Sequence, residues 1–581
     1  VTGAARPTRA GVRRWGPPSV LLLLLALAGF AYLFRVGDVP SASGDEGNWM
    51  SMGHRILLGL PTRLGPDSRF VTTAFARMIS LSFRFGGVTI GAARATLGVS
   101  VLLGLALVYA QSARMKSRSL GLALVSLLAL HPWTVWWCRS VVVPYPIALM
   151  TAVLGPLAWL HATDAHRAPS EDRREAARRV FALLLAGQIL VCALHMTPFG
   201  VIPLLACALW SLASVEGRRS LRTPGPWVAL LGVILHALPI AKDAATVVGQ
   251  AHPGTRLHDF ERRASNLVRS MIDGLSGEQT LRDYVGDNAY DPLGATPTRA
   301  AVLLALCAAL WLALRGERPG DAPRSSSADA VRRFAPMYLL VSLLGLPLVL
   351  APARDWWLAT IDSERYLFVL LAPASLLLAS AVLRRPRSGT ALCTALLLYF
   401  ALGPNVRAAR YFWRGGGPDH GYFSAHRGGG YRGYKVLPGP RSMTVALYRA
   451  CLEASRGERM TIAVNDYAFH PVRVLIRVNP DHHLDAVYLR DAVLPPGRLL
   501  CIAVWPEAMF TRGHIPGFAG EANHWTRAYV RDRLDQARQI ASWTQPNGAP
   551  LLEIYTGRVR AVAAAPGPSV TLGATANPAT R

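Results

Sequence analysis

The sequence predicts an all-α polytopic membrane bundle of about eleven transmembrane helices with a small C-terminal extracytoplasmic α/β domain. Three observations predict it. Of 581 residues, 51% are hydrophobic and only 17% charged, against about 25% charged in soluble domains. Apolar runs recur up to residue 405, each near the roughly 20 residues that a bilayer core requires. After residue 405 the pattern changes to short apolar runs and amphipathic segments. The apolar content excludes a disordered chain, and seven cysteines in this length exclude a disulfide scaffold.

The runs read, in order, as spans at 18–35, 88–111, 120–137, 143–161, 180–196, 199–215, 226–245, 299–315, 334–351, 365–383 and 389–405. The first has the basic start and leucine core of a secretory signal, but no small-residue cleavage site precedes Gly44, so it reads as an anchored helix. Spans five and six are joined by a tight hairpin at Pro198. The net charge of +27 is carried mostly by Arg between the spans. One cluster precedes the first span (Arg6, Arg9, Arg13, Arg14), and later ones include Arg114 to Arg118, Arg173 to Arg179, Arg218 to Arg222 and Arg384 to Arg387. With eleven spans they share one side, the cytoplasm by the positive-inside rule. That distribution is a loop signature and argues against a nucleic-acid partner. The N-terminus is then cytoplasmic, and the chain after residue 405 lies outside.

Residues 1–405 thus form a membrane domain with external loops 36–87 and 246–298, too long for simple helix connections. A Gly-rich linker follows at 406–441. Residues 442–560 read as an α/β domain, with helices at 442–457 and 527–544 and strands at 461–464, 499–505 and 551–555. Residues 561–581 read as a disordered tail. Cys451 and Cys501 are open to two readings, one disulfide in an oxidising compartment or two buried thiols.

Asp45 and Glu46 begin a helix over 46–59 soon after the first span. The position admits two readings: Asp45 as the N-cap, or a carboxylate at the membrane surface working as a base. The run DEGNWMSMGHRILLGLP, followed by FVTTAFARMISLSFRFGGVTIGAARATLGV, resembles the start of the polytopic glycosyltransferases of the GT-C class. It is most similar to polyprenyl-phosphate-sugar transferases, including the protein O-mannosyltransferases and aminoarabinose transferases. The matching residues are Asp45, Glu46, Gly59, Pro61, Gly86, Ala92, Ala93 and Arg94, and ERYLFVLLAPASLLLA at 364–379 is similar as well. The chain departs from the class after Arg139, where RSVVVPYPIALM holds no carboxylate; Asp355, Asp362 and Glu364 are the acidic residues available on the same face.

The resemblance implies a GT-C-like bundle that moves a sugar from a polyprenyl-phosphate donor to an extracytoplasmic glycan, lipid or protein acceptor, with inversion at the anomeric carbon. It implies Asp45 as the general base, with Glu46 as its neighbour or substitute. Attack by a hydroxyl requires proton removal, and the leaving phosphate requires positive charge. Arg presents a fork that fits phosphate, and the candidates are Arg94, Arg139 and Arg365. Arg94 is open to a second reading, pairing with an acidic residue to hold the loop. His195 and Glu364 are further candidates. No cofactor is expected and no metal set is assigned, although a divalent metal fits the class. The Arg-rich composition points to a bacterial plasma membrane. The alternative functions are a lipid-linked sugar flippase or transporter, or a non-catalytic envelope-assembly protein.

Overall fold

The computed structural model describes residues 16–37, 44–60, 73–140, 144–165, 173–248, 272, 274–277, 292–314, 326–350, 368–414, 443–464, 466–480, 483–488, 494–504, 527–544 and 550–561. The apolar runs are helices: α1 (Pro17–Leu33), α4 (Ile90–Arg114), α5 (Arg118–Ala129) with α6 (Pro132–Ser140), α7 (Tyr145–Ala165), α8 (Arg173–Met196), α9 (Val201–Ala213), α11 (Pro224–Val248), α12 (Pro292–Leu314), α13 (Ser326–Leu350), α14 (Phe368–Arg384) and α15 (Pro386–Leu402). Between them lie α2 (Gly44–Leu57), α3 (Thr73–Gly86) and α10 (Val215–Ser220), and α16 (Pro404–Arg414) follows α15.

Among the described residues, four helices are long and apolar enough to cross a membrane, or up to five if the bent α5–α6 pair is one span. Shorter apolar helices include α1, α9 and α14. Leu22, Phe30, Leu103, Phe181, Leu212, Leu304, Leu344 and Leu402 are exposed. Apolar surface of that extent is stable against lipid and costly against water. The chain is a membrane protein on these grounds.

Helix α14 is the centre of the bundle. Phe368 through Val382 are all buried, the mark of a helix surrounded by others. It packs on α5, α7, α12, α13 and α15. The span expected at 120–137 is made of two helices, α5 and α6, bent by 58°. Pro132 opens α6 and has no N–H to continue the ladder from α5. His131 repairs the break. Its Nδ1 accepts from the Trp133 N–H at 3.2 Å, so its Nε2 carries the proton and faces Leu275 O at 3.2 Å. Asn405 Nδ2 donates to the freed Leu130 carbonyl at 2.7 Å.

The C-terminal part is a five-stranded mixed sheet in the order β2-β1-β3-β5-β4. The strands are β1 (Met460–Val464), β2 (Leu484–Tyr488), β3 (Leu499–Val504), β4 (Leu534–Thr544) and β5 (Pro550–Val559). Its helices are α17 (Met443–Ser455), α18 (Asp466–Val478) and α19 (Arg527–Arg533). β1 is parallel to β2 and β3, while β5 runs antiparallel to β3 and β4. The parallel β1–β2 pair requires a crossover, which α18 supplies. Cys451 on α17 and Cys501 on β3 form a disulfide.

The helix expected over 527–544 is corrected: its first part is α19 and the rest is β4. Register shifts at Asp535/Arg538, Gln539/Ala541 and Trp543/Thr544 break the alternation of the strand. The resulting apolar spacing of three to four residues imitates a helix. The linker expected at 406–441 is corrected at its start, where residues 406–414 belong to α16; the rest of it, and the expected tail from 562 on, lie outside the described residues.

Candidate functional site

The C-terminus of α1 leaves carbonyls without partners inside the helix. Two arginines take them. Arg139 on α6 donates through Nη1 to Ala31 O at 2.5 Å and through Nη2 to Phe34 O at 2.8 Å. Arg94 on α4 donates through Nη1 to Val36 O at 2.9 Å. Cations there also meet the negative end of the helix dipole. Tyr32 Oη fixes α1 from the other side by donating to Ala129 O, at the end of α5, at 2.6 Å.

Glu46 on α2 completes the node. Its Oε1 accepts from Arg94 Nε at 2.6 Å and its Oε2 from Arg94 Nη2 at 2.9 Å. Both side chains are fully buried, and Arg139 is 2% exposed. Arg139 and Arg94 lie near enough to repel one another. Among the described residues the node joins two guanidiniums and one carboxylate. The two-pronged Glu46–Arg94 pair fixes the first turn of α2, which also holds Asp45. The Asp45 side chain lies outside the described part of the structure.

At its other end α2 stops in a glycine turn. Gly59 has φ +69°; its N–H donates to Ile56 O at 3.0 Å, and the Leu60 N–H donates to Arg55 O at 2.8 Å. This pair of bonds closes a helix through a left-handed residue, so the glycine of the Gly-x-Pro pattern is needed for its backbone. One face of α2 packs on α3 and another on α18 of the C-terminal sheet. Arg477 Nη1 on α18 donates to Ser51 Oγ at 2.9 Å. Burial, and then Arg477, hold the His54 imidazole below its ordinary pKa. Burial, then Arg473 and Arg55, lower Arg477.

Sequence reasoning singled out α2 but missed its partner. The spacing of Arg473 and Arg477 on one helix face was the available signal. The structure brings Glu46, Arg94 and Arg139 together, in the loop-holding arrangement that was one of the two readings of Arg94. His195 ends α8 and stands edge to face with His236 of α11, ring centres 6.5 Å apart. Asp355, Asp362, Glu364 and Arg365 lie outside the described residues, as does most of loop 246–298. Among the described residues no group of three or more His, Cys, Asp or Glu is placed to hold a metal.

No protein-family model matches the chain, and no curated protein matches it. Solved structures do. The chain is similar to ArnT from Cupriavidus metallidurans bound to undecaprenyl phosphate, at 12% identity and TM-score 0.45, covering 92% of this chain and 97% of that one. It is similar to the Archaeoglobus fulgidus oligosaccharyltransferase in complex with zinc and sulfate, at 13% identity and TM-score 0.46, covering 92% and 73%. It is also similar to the oligosaccharyltransferase AglB of the same organism with an inhibitory peptide and a dolichol-phosphate, at 12% identity and TM-score 0.44, covering 82% of this chain and 65% of that one.

Proposed function

We propose that the chain is an integral-membrane glycosyltransferase that moves a sugar from a polyprenyl-phosphate donor to an acceptor on the face where α2 and the C-terminal sheet lie. The observation that carries this reading is the buried Glu46–Arg94 pair. It pins to the end of α1 the turn that the sequence resemblance assigns to the reaction. A buried ion pair is costly to desolvate, and in this reading it is kept as a positioning device for that turn.

In this reading Asp45 accepts the proton of the acceptor hydroxyl as its oxygen bonds to the anomeric carbon, and the bond to the polyprenyl phosphate breaks. Glu46 does not substitute for it, because both of its oxygens are bonded to Arg94. Arg94 and Arg139 act on the leaving phosphate through their charge, since these donors serve α1 and Glu46. Arg365 is the proposed direct phosphate contact, and Glu364 and His195 are the further polar candidates. The face is extracytoplasmic in this reading, supported by the Cys451–Cys501 disulfide. The membrane is then a bacterial plasma membrane with the N-terminus inside, and transfer inverts the anomeric carbon.

The test is transfer from a radiolabelled polyprenyl-phosphate sugar by the purified full chain. Asp45→Asn is expected to lower kcat by about 10²–10⁴, the range for loss of a general base, with an unchanged unfolding temperature. Full activity of Asp45→Asn removes the assignment. Movement of the donor across vesicles without a new glycoside would identify a flippase instead.

A further inference from the structure

A cavity of about 220 Å³ opens between α7, α8, α9 and α11. Trp159, Leu190 and Cys207 in its wall are buried, whereas Leu212, Trp227 and Leu230 are exposed, so it has a floor inside the bundle and a rim towards lipid. The polar atoms of the wall bond to one another. The Trp159 indole N–H donates to Ser211 Oγ at 3.0 Å, the Ser211 hydroxyl donates to Cys207 O at 2.9 Å, and the Trp227 indole N–H donates to Leu221 O at 2.7 Å. The surface left over is apolar and offers water too few partners to hold it. The cavity is also remote from the arginine node. Tyr145 sets the start of α7 beside α6, its ring centre 5.9 Å from that of Trp137. Trp159 lies fourteen residues further along α7, roughly 20 Å at 1.5 Å per residue.

Helix α10 and the turn after it close one end of this cavity, where Leu221 is part of the wall. The Ser214 hydroxyl caps α10 by accepting from the Gly217 N–H at 2.9 Å. A side chain on Gly217 would collide with the Ser211 backbone, so the glycine lets α10 fold back against the end of α9. Arg218, Arg219 and Arg222 are exposed there. The one acid of α10, Glu216, accepts from Arg333 Nη2 of α13 at 2.8 Å, and among the described residues none of the three arginines is in an ion pair. Positive charge thus stands at the end of an apolar cavity, beside the indole of Trp227, a residue type that sits at the level of lipid headgroups. Basic pockets between transmembrane helices accept anionic headgroups, and the guanidinium fork matches phosphate geometry.

We propose that this cavity holds one acyl chain of an anionic phospholipid from the leaflet at the α10 end of the bundle, with Arg218, Arg219 and Arg222 on its phosphate. The size fits a single chain. The wall runs along α11 from Pro226 to Val233, roughly 10 Å, and its volume is below the roughly 300–1,000 Å³ of pockets for whole small molecules. The bound lipid ties α8, α9 and α11 together on the side of the membrane away from Asp45. The inference does not depend on sugar transfer.

The experiment titrates phosphatidylglycerol into the delipidated full chain in detergent and reads the bound lipid by native mass spectrometry. Phosphatidylcholine is expected to bind at least about tenfold more weakly, the worth of a hydrogen bond to a charged group. Replacing Arg218 and Arg222 together by Gln is expected to weaken phosphatidylglycerol about a hundredfold, as for two such bonds. The same change at Arg385 and Arg387, exposed arginines where α14 meets α15, is expected to leave binding unaltered. Ala208→Trp, which fills the cavity from its rim, is expected to abolish binding with the unfolding temperature retained, and Leu230→Trp replaces it if that variant fails to fold. The proposal is overturned if phosphatidylcholine binds as tightly, if the Arg385 and Arg387 pair loses as much as the Arg218 and Arg222 pair, or if the filled cavity still takes lipid. It is overturned as well if a polyprenyl phosphate displaces phosphatidylglycerol at equal concentration, which would assign the cavity to the donor. Asp45→Asn is expected to bind phosphatidylglycerol normally, which separates this site from the transferase reading.

Discussion

Asp45 and Glu46 are adjacent acids, and the structure accounts for one of them completely. Glu46 spends both oxygens on Arg94 in a fully buried pair. Removing one partner leaves an uncompensated buried charge, a loss of about 3–5 kcal/mol. Glu46→Gln and Arg94→Gln are each expected to lower the unfolding temperature in detergent, and joint replacement of both by Leu to cost less than the two single changes summed. Equal unfolding temperatures for Glu46→Gln and the unaltered chain would contradict the burial. This contrast separates the acids: a stability loss marks Glu46, and a loss of turnover alone marks Asp45.

His54 gives the same helix a dependence on pH. Burial, and then Arg477, place its folded pKa below the unfolded value, which is about 6.5. The unfolded chain therefore binds the proton more readily. This contribution is fully present above about pH 6.5 and is lost as pH falls through the folded pKa. Unfolding temperatures recorded from pH 8 down to pH 5 are expected to fall in the acid range, and His54→Gln to flatten that part of the fall. An unchanged slope in the variant would exclude His54 as the cause.

Among the elements, the C-terminal sheet shows how local pattern succeeds and fails. β1 and β3 were legible because continuous apolar runs suit strands covered on both faces, and all five residues of β1 are buried. β4 was not, because its register shifts removed the alternation that identifies a strand. α18 escaped as well: it carries Pro471 and ends seven residues later at Val478, just past Arg477, and its packing against α2 becomes visible only in three dimensions. The disulfide ties α17 to β3 with Cα atoms 6.4 Å apart across a separation of 50 residues. Loop closure over that length contributes about 4 kcal/mol in the chain-entropy account. Alkylation of the denatured chain without reductant is expected to modify Cys138, Cys192, Cys207, Cys307 and Cys393, and to reach all seven cysteines only after reduction. Cys451→Ser is expected to lower the unfolding temperature; labelling of seven thiols without reductant would show that the bond does not form.

Over the whole molecule, the contact of α2 with α18 places the first loop helix and the C-terminal sheet on one side of the bundle. The arginines of α10 belong to a loop assigned to the other side by charge. A membrane-impermeant maleimide applied to intact cells is expected to label Arg459→Cys before β1 and to spare Arg219→Cys on α10, both of them exposed positions. The reverse pattern would invert the topology and with it the extracytoplasmic site.

The sequence by itself determined that the chain is helical and membrane-embedded, and where its apolar segments lie, because hydrophobic length and loop charge are local quantities read by the bilayer one segment at a time. It also marked the acidic pair and Arg94, through spacing that resembles a known class. Tertiary structure alone decided that Glu46 and Arg94 are partners across 48 residues, that Arg139 serves the end of α1, and that an arginine face more than 400 residues downstream meets Ser51. Those pairings depend on how helices stack around α14, and packing of distant segments leaves no periodic trace in either one.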